Sequence, residues 1–421
     1  PRSWKYLMST MKPQWAEKIR QNETGFKSLE YVGVQFNIVD DKFYTTAVAY
    51  QPQAPKQPAR SIVADRASFS SKIITKPFVI RSHVNQALEV LLQDSSLTLY
   101  HLSNTFDILW AERLQEKIIG SIHPVDFYQN GKTQYAFATK TKLHIIDRTG
   151  KYIDGYPKII PSSKGTEYFS VVDYDGSKNY RFMMADQSGS IVLMNKEGQA
   201  LEGWNPNKFE ERQILSPEHI RAAGKDAFVI IQENYVDLRS RRGESFPGFP
   251  IKFEEDLIPS RFVEATGSFG TSTITVLTEG GELVRISFNG RIEHREQIYK
   301  PSLEVTFDLV PDVLNNTFLI TRSSASQWEV LGATGLGLFE KPYLNGANCQ
   351  VQFYRFGGDK ALIMVTNPED NFLTIYDLEG KVLTQRPMIS DNPASVIYYE
   401  NQGAYQFYLT SGNLLNKVRI D

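Results

Sequence analysis

Residues 171–180, VVDYDGSKNY, are the stretch whose residue types come closest to a metal site. Asp173, Asp175 and Asn179 supply side-chain oxygens at short spacing, and calcium takes about six to eight oxygen ligands from such groups. The same residues suit a hairpin turn in which Asp and Asn side chains accept hydrogen bonds from nearby backbone N–H groups. The turn is the favoured interpretation, and calcium is kept as the single cofactor candidate.

No catalytic constellation is recognisable elsewhere in the sequence. The single cysteine, Cys349, excludes an internal disulfide framework and a multi-cysteine zinc site. Arg239, Arg241 and Arg242 form a basic stretch, for which a solvated hairpin tip is favoured over an anion site. We therefore predict no catalytic and no cofactor-binding residues.

The charge balance argues against two classes of partner. With 46 basic and 48 acidic residues and a formal net charge of −2, the chain has no electrostatic footprint for nucleic acid or for an anionic membrane. No apolar run approaches the roughly 18–20 residues that a membrane-spanning helix needs. We expect neither nucleic-acid binding nor a transmembrane segment in this chain.

The elements that would position any site are revealed by an internal repeat. Similar turns recur at intervals of 45 to 48 residues, at Asn104, Gly150, Gly198, Gly243, Gly290, Gly335 and Gly380. Within one unit, HPVDFYQ, QYAFAT, KLHIID and YIDGYPKII are short β-type runs separated by turn residues, which is typical of consecutive hairpins. Glycine suits the turn between the third and fourth runs because that turn requires a positive φ. Four-stranded units at this period predict a β-propeller.

The units predict an all-β protein with eight blades. Seven full units fall between residues 71 and 393, and the remainder supplies only three strands. We expect residues near 61–70 to close the last blade beside the C-terminal strands, which leaves no exposed sheet edge. Seven blades stay open as an alternative if the unit at 305–347 is not a blade.

The residues before the ring predict different structure. Residues 4–21 have apolar positions at helical spacing, and residues 31–50 form a hairpin pattern that turns at Asp40, Asp41 and Lys42. The proline-rich residues 51–60 then indicate an extended linker. We divide the chain into residues 1–50, the end of an upstream α+β domain, the linker 51–60, and the propeller 61–421.

The motifs of the repeat resemble those of known propellers. Gly203-Trp204 and residues 246–250, FPGFP, are similar to FG-GAP and quinoprotein-like repeats, in which a strand ending in D-x-x-G precedes l-x-G-[FW]-P. The arrangement looks like large envelope proteins of Bacteroidetes, in which a domain of unknown function ends in a Y-[YF]-T hairpin, here Phe43-Tyr44-Thr45. The resemblance implies an extracytoplasmic location, in the periplasm or at the outer membrane, with a lipid anchor upstream and no established activity.

Motifs of the enzymatic propellers are missing or incomplete. The quinone-docking motif of eight-bladed dehydrogenases ends in tryptophan, which the nearest match, residues 146–150, lacks. The Ser-x-Asp-x-Gly-x-x-Trp boxes of sialidases are not found. His83 and His123 lie at nearly equivalent first-strand positions of successive units, where we favour buried, hydrogen-bonded histidines over metal ligands.

These observations favour binding over catalysis. Rigid repeats without a convergent polar motif predict a non-enzymatic scaffold of a bacterial cell envelope, which binds protein partners and serves secretion or outer-membrane assembly. The alternative is a carbohydrate-active or carbohydrate-binding propeller, for which arginine, tyrosine and paired carboxylates would have to converge on the channel.

Overall fold

The structure, a computed structural model, describes Glu17, residues 31–39 and 42–50, and residues 61–162, 164–204, 211–324, 327–342, 349–357 and 360–420. The chain forms two compact units, Pro1–Pro58 and Ala59–Asp421. In the first unit, β1 (Tyr31–Val39) and β2 (Lys42–Tyr50) pair as an antiparallel hairpin. Apart from Glu17, the predicted helix at 4–21 lies outside the described residues, as does the predicted linker at 51–60.

The second unit begins with β3 (Ser61–Ser68) and continues as a series of antiparallel sheets. Its first four sheets, blades 1 to 4, follow one another in sequence. Blade 1 contains β4 (Phe78–Arg81), β5 (Leu88–Gln93), β6 (Thr98–Leu102) and β7 (Ile108–Arg113); blade 2 contains β8 (Ile119–Val125), β9 (Gln134–Ala138), β10 (Lys142–Asp147) and β11 (Lys158–Ile159); blade 3 contains β12 (Tyr168–Val172), β13 (Arg181–Ala185) and β14 (Ile191–Asn195); blade 4 contains β15 (Glu218–Ala222), β16 (Lys225–Gln232), β17 (Tyr235–Arg239) and β18 (Ile251–Lys252).

Blades 5 to 8 continue the same order, and blade 8 takes its outermost strand from the start of the unit. Blade 5 contains β19 (Phe262–Glu264), β20 (Thr273–Leu277), β21 (Glu282–Ser287) and β22 (Ile292–Gln297); blade 6 contains β23 (Thr306–Pro311), β24 (Phe318–Ser323), β25 (Gln327–Leu331) and β26 (Gly337–Pro342); blade 7 contains β27 (Gln350–Gly357), β28 (Lys360–Asn367), β29 (Phe372–Tyr376) and β30 (Met388–Ile389); blade 8 contains β31 (Ser395–Tyr399), β32 (Ala404–Ser411), β33 (Leu414–Ile420) and β3.

The protein is therefore an eight-bladed β-propeller, as the repeat predicts. β3 pairs antiparallel with β33, from Ser61 opposite Ile420 to Ser68 opposite Leu414, so the last blade is closed by the two ends of the unit. The unit at 305–347, which would have been missing from a seven-bladed ring, forms the complete blade 6.

The direction of the first strands defines two faces of the ring. First strands of successive blades contact one another, β4 with β8 and β23 with β27, so these strands are innermost. Asp312, at the end of β23, pairs in parallel with Phe353 of β27, which shows that neighbouring first strands run the same way. The loops after the first and third strands of every blade consequently lie on one face, which we call the upper face.

The core of the ring is divided among the blade interfaces. Buried apolar side chains form eight clusters, and each cluster contains residues of two neighbouring blades. The cluster between blades 1 and 2 includes Leu91, Leu99 and Phe137, and the one between blades 8 and 1 includes Ile73 and Tyr408. Each blade therefore buries its apolar surface only against its neighbours.

The turn residues differ from the predicted set at one position. Gly150, Gly198, Gly243, Gly290, Gly335 and Gly380 all have positive φ, between +73° and +87°. In the turn after the third strand of blade 1, the residue with positive φ is Phe106, at +69°. Its N–H donates to the carbonyl of Ser103, just as the N–H of Gly150 donates to the carbonyl of Asp147. Asparagine tolerates a positive φ better than phenylalanine, so the sequence alone favours Asn104 at this turn. Burial of the Phe106 ring against Tyr408 outweighs that preference.

The fourth strand of blade 2 is shorter than the pattern YIDGYPKII predicts. After Gly150 only Tyr152 bridges back to Ile146, and the chain then loops outward before β11. In this loop the hydroxyl of Tyr156 donates to the carbonyl of Lys196 in blade 3, at 2.7 Å. The Gly-aromatic-Pro motif therefore forms a contact between blades where a continuous strand was expected.

Candidate functional site

The three residues of the calcium candidate lie in the loop between β12 and β13. Each of their side chains accepts a hydrogen bond from a residue close by in the sequence. The carboxylate of Asp173 accepts the backbone N–H of Lys178, at 3.0 Å, and that of Asp175 accepts the N–H of Ser177, at 3.3 Å. The side-chain oxygen of Asn179 accepts a hydrogen bond from Arg181, at 2.9 Å. These contacts are those of the favoured turn, and calcium binding at these three residues stays a prediction.

The two histidines that the repeat aligned are not equivalent in the structure. His83 lies in the turn after β4, where its Nδ1 accepts the backbone N–H of Thr133 at 3.1 Å. His123 lies on the inner strand β8 with its ring edge-on to Phe169, and its Nε2 has no hydrogen-bond partner among the described residues. Burial lowers the pKa of His123 to about 4, and the nearby charge of Lys76 acts in the same direction. The position that corresponds to His123, opposite Ala136 in β9, is Phe78, opposite Leu91 in β5, so His83 lies five residues further along the chain.

A buried polar cluster lies between blades 1 and 2, and the sequence pattern did not predict it. Glu89 accepts hydrogen bonds from Nε of Arg148 at 3.1 Å and lies 3.0 Å from Nε2 of His101. Burial alone would raise the pKa of Glu89, but the hydrogen bonds and charge of Arg148 outweigh it and hold that pKa below its ordinary value. Burial lowers the pKa of His101 to about 4, so this histidine is neutral at neutral pH. The carboxylate of Glu89 thus neutralises the guanidinium of Arg148. This ion pair links blade 1 to blade 2, and we call it the tie between these blades.

A second polar cluster lies on the upper face between blades 3 and 4, and we call it the arginine cluster: Arg181, Arg221 and Arg241 around Tyr174 and Asp226. The buried carboxylate of Asp226 accepts hydrogen bonds from Nη1 of Arg221, at 3.0 Å, and from Nε of Arg241, at 2.8 Å. The guanidinium of Arg241 lies over the ring of Tyr174, 4.2 Å from its centre, and that of Arg181 lies 6.0 Å from it. The cluster combines three loops of two blades.

His219 completes the surroundings of Asp226. Its Nε2 lies 2.8 Å from Oδ1 of Asp226, and its ring packs edge-on against Tyr174. Burial lowers the pKa of His219, only partly opposed by its bond to Asp226, so the ring is neutral at neutral pH. Burial would raise the pKa of Asp226, but His219, Arg241 and Arg221 together hold it below its ordinary value. Asp226 is therefore an anion with two cationic partners.

Two arginines of the basic hairpin tip, Arg239 and Arg241, have defined hydrogen-bond partners, which side chains at a fully solvated tip would lack. Arg239 donates to the carboxylate of Asp237 at 2.6 Å and to the carbonyl of Gly243 at 2.7 Å. Arg241 reaches back to Asp226, 15 residues away. The basic pattern marked this tip, but nothing local in the sequence indicated its acidic partner or Tyr174.

Two further features bear on function. A polar cavity of about 660 Å³ opens on the upper face between blades 2 and 3, lined in part by Gln129, Arg181, Asn195 and Lys196. On the inner wall, Ser170, Ser260 and Ser395 each donate to a backbone carbonyl of the adjoining blade. These serines join neighbouring blades through hydrogen bonds.

The described residues contain no group of three or more His, Cys, Asp or Glu side chains arranged to hold a metal ion. Nor does that part of the chain include a helix with the length and apolar character to cross a bilayer.

The fold and its repeated sheets define an eight-bladed β-propeller. No protein-family model and no curated protein sequence matches the chain. Among solved structures it is similar to Sqt1 of Saccharomyces cerevisiae, with a TM-score of 0.60 and 11% identity over 87% of this chain and 100% of that chain.

Two other solved structures are comparably similar. A europium-containing methanol dehydrogenase gives a TM-score of 0.59 with 9% identity, over 86% of this chain and 94% of that chain. BamB from Moraxella catarrhalis gives 0.55 with 12% identity, over 86% of this chain and 98% of that chain. At such identities the likeness shows the fold, which enzymes and other proteins share.

Proposed function

We propose that this chain is a non-enzymatic scaffold that binds protein partners through the upper face of its propeller. The observation that carries the proposal is the composition of that face. Large apolar side chains stand exposed in its loops at Val84, Tyr128, Val313 and Leu314. The arginine cluster lies on the same face. Exposed apolar groups beside charged ones on a rigid frame are typical of protein-binding surfaces.

The side chains best suited to chemistry have structural partners instead. Glu89 and His101 are buried in the tie between blades 1 and 2, and Asp226 is enclosed by its cationic and histidine partners. A general acid or base must reach a substrate, and these groups are held away from solvent. This supports the non-enzymatic proposal.

We further propose that the scaffold works in a bacterial cell envelope, in a secretion or outer-membrane assembly complex. The motif resemblance to Bacteroidetes envelope proteins supports this location, as does the hairpin at Phe43-Tyr44-Thr45. BamB from Moraxella catarrhalis shares the fold. An upstream lipid anchor belongs to the same proposal.

Affinity capture of the tagged full-length protein from its native envelope, followed by mass spectrometry, tests the scaffold. We expect stoichiometric protein partners that are lost from a Leu314→Asp variant on the upper face. Ile159→Asp is the matched control, because Ile159 is 77% exposed on the outer strand β11, away from that face.

Partners captured equally by both variants would contradict the use of the upper face. A clean monomer that retains glycans on an array would replace the scaffold with the carbohydrate alternative.

A further inference from the structure

The arginine cluster carries more positive charge than its own carboxylates neutralise. Arg221 and Arg241 bond to the carboxylate of Asp226, and Arg181 adds a third guanidinium at the ring of Tyr174. The exposed carboxylate of Asp175 is the second anion of the cluster, and its pKa is held below its ordinary value mainly by hydrogen bonds from Ser177, with a smaller contribution from the charge of Arg221. One positive charge is therefore in excess. In the tie between blades 1 and 2, by contrast, Arg148 and Glu89 balance one to one. A purely structural tie around Asp226 would need only one of its two arginines.

The excess charge is accessible and pre-positioned. The side chains of Arg221 and Arg241 are 41% and 48% exposed, whereas that of Asp226 is 4% exposed. Within the described residues, Nη2 of Arg221 and Nη1 of Arg241 have no hydrogen-bond acceptor, so each retains N–H donors that point away from Asp226. Stacking on Tyr174 and bonding to Asp226 hold the guanidinium of Arg241, and bonds to Asp226 and to the backbone carbonyl of Tyr174 hold that of Arg221. This positioning lowers the entropy lost when an anion binds.

We propose that the arginine cluster is the docking point for a carboxylate side chain in an acidic segment of a protein partner. This inference rests on the scaffold function and names the chemistry of one contact in it. A guanidinium presents paired N–H donors that match a carboxylate. Nucleic acid is disfavoured because contacts along a phosphate backbone need an extended basic surface, and the cluster offers only three cations.

Binding of a fluorescent oligoglutamate peptide to the full chain, measured by anisotropy, tests this contact. Arg241→Gln and Arg221→Gln are each expected to weaken binding about three- to tenfold, the loss of one partly exposed charge-assisted contact. Arg295→Gln is the matched control, because Arg295 is 50% exposed and pairs one to one with Glu282, at 3.0 Å. It should leave the affinity unchanged, and raised salt should weaken wild-type binding.

A stability measurement separates docking from a structural role. In Arg241→Gln the carboxylate of Asp226 keeps Arg221 and His219, so thermal unfolding should match wild type while peptide binding falls. Equal peptide affinity in the wild type and the two cluster variants would overturn the proposal. So would tighter binding to a single-stranded oligonucleotide or to anionic phospholipid vesicles than to the peptide.

Envelope capture with the same variants distinguishes this proposal from the scaffold function. Partners held by wild-type protein and by Arg221→Gln and Arg241→Gln alike would overturn the docking point and leave the scaffold standing. No partners on wild-type protein would overturn the scaffold itself.

Discussion

Three histidines of the ring, His101 and His144 buried and His123 partly buried, share one electrostatic setting. Burial lowers the pKa of His101, His123 and His144 to about 4, and no carboxylate reverses the effect. His101 has Glu89 at 3.0 Å but also the opposing charge of Arg148. His144 stacks on Phe137 and bonds to the hydroxyl of Tyr152, at 3.0 Å. The folded propeller therefore keeps the imidazoles of all three histidines in the neutral form.

This setting predicts that the propeller loses stability in mild acid. Between the ordinary pKa of 6.5 and the folded value of about 4, the unfolded chain binds protons that the folded ring excludes. The free energy of unfolding should thus fall as the pH is lowered from about 6.5 toward 4, by up to ~1.4 kcal/mol per pH unit for each histidine. Urea unfolding at a series of pH values measures the slope.

The variant His123→Gln should lower that slope by about one histidine's share, since one of the three protons is no longer exchanged. Equal stability at neutral pH and in mild acid would show that these rings are not desolvated.

Turn glycines predict a second effect at the residue scale. A Cβ at Gly150, where φ is +87°, would lie 2.8 Å from Cγ of Trp110 on the outer strand of blade 1. At Gly131, where φ is +77°, a Cβ would meet nothing within 4 Å. Gly131→Ala should cost about 1–2 kcal/mol from the backbone alone, and Gly150→Ala about 1–3 kcal/mol more from the clash. Chemical denaturation measures the free energy of unfolding of both variants. Equal losses of stability would contradict a destabilising clash between a Cβ at position 150 and Trp110 of the neighbouring blade.

At the scale of elements, closure of the ring depends on β3. The strand pairs with β33 along its length, and Nε of Arg66 donates to the side-chain oxygen of Asn416, at 2.8 Å. Asp65 also forms an ion pair with Lys417. The strand belongs to the last blade although about 350 residues of sequence lie between its partners.

A truncation series tests this closure. A chain beginning at residue 59 keeps β3 and should give a monomeric, cooperatively folded propeller. A chain beginning at residue 70 exposes the edge of β33 and should lose that transition or associate through the open edge. Size-exclusion chromatography and thermal melting compare the two chains, and matching profiles would contradict the structural role of β3.

At the scale of elements, the sequence predicted the number and order of the repeated units but not every equivalent position within them. The period and turn chemistry gave eight units and the split blade, because both depend on local backbone preferences. The equivalence of Asn104 with the turn glycines and of His83 with His123 was wrong. Packing of Phe106 decided the first position, and strand pairing places Phe78, not His83, at the position of His123; neither leaves a local signal.

At the scale of the whole molecule, the eight interface clusters join the blades into one cooperative unit. Phe137 is fully buried between blades 1 and 2, and its neighbours come from both. A blade alone would leave both faces of its sheet without a partner, because each face packs against a different neighbour. The ring should therefore unfold as a whole.

Truncating one cluster tests this cooperativity. Phe137→Ala should lower the free energy of unfolding by about 3–5 kcal/mol. Ile159→Ala, at a position 77% exposed, should change it by less than ~0.5 kcal/mol. Far-UV circular dichroism and tryptophan fluorescence should report coincident transitions in the Phe137 variant. Two separated transitions would mean that blades melt independently.

The sequence by itself determined the architecture: a repeat near 45 residues, glycine turns at fixed offsets, and a last unit short of one strand. These features are local or periodic, so they can be read along the chain. Only the tertiary structure decided which groups meet, as with the side chains of Glu89 and Arg148, 59 residues apart, or the guanidinium of Arg221 and the backbone carbonyl of Tyr174, 47 apart. Such pairs form across blade interfaces, where the twist and register of two sheets, rather than sequence spacing, set the distance between side chains.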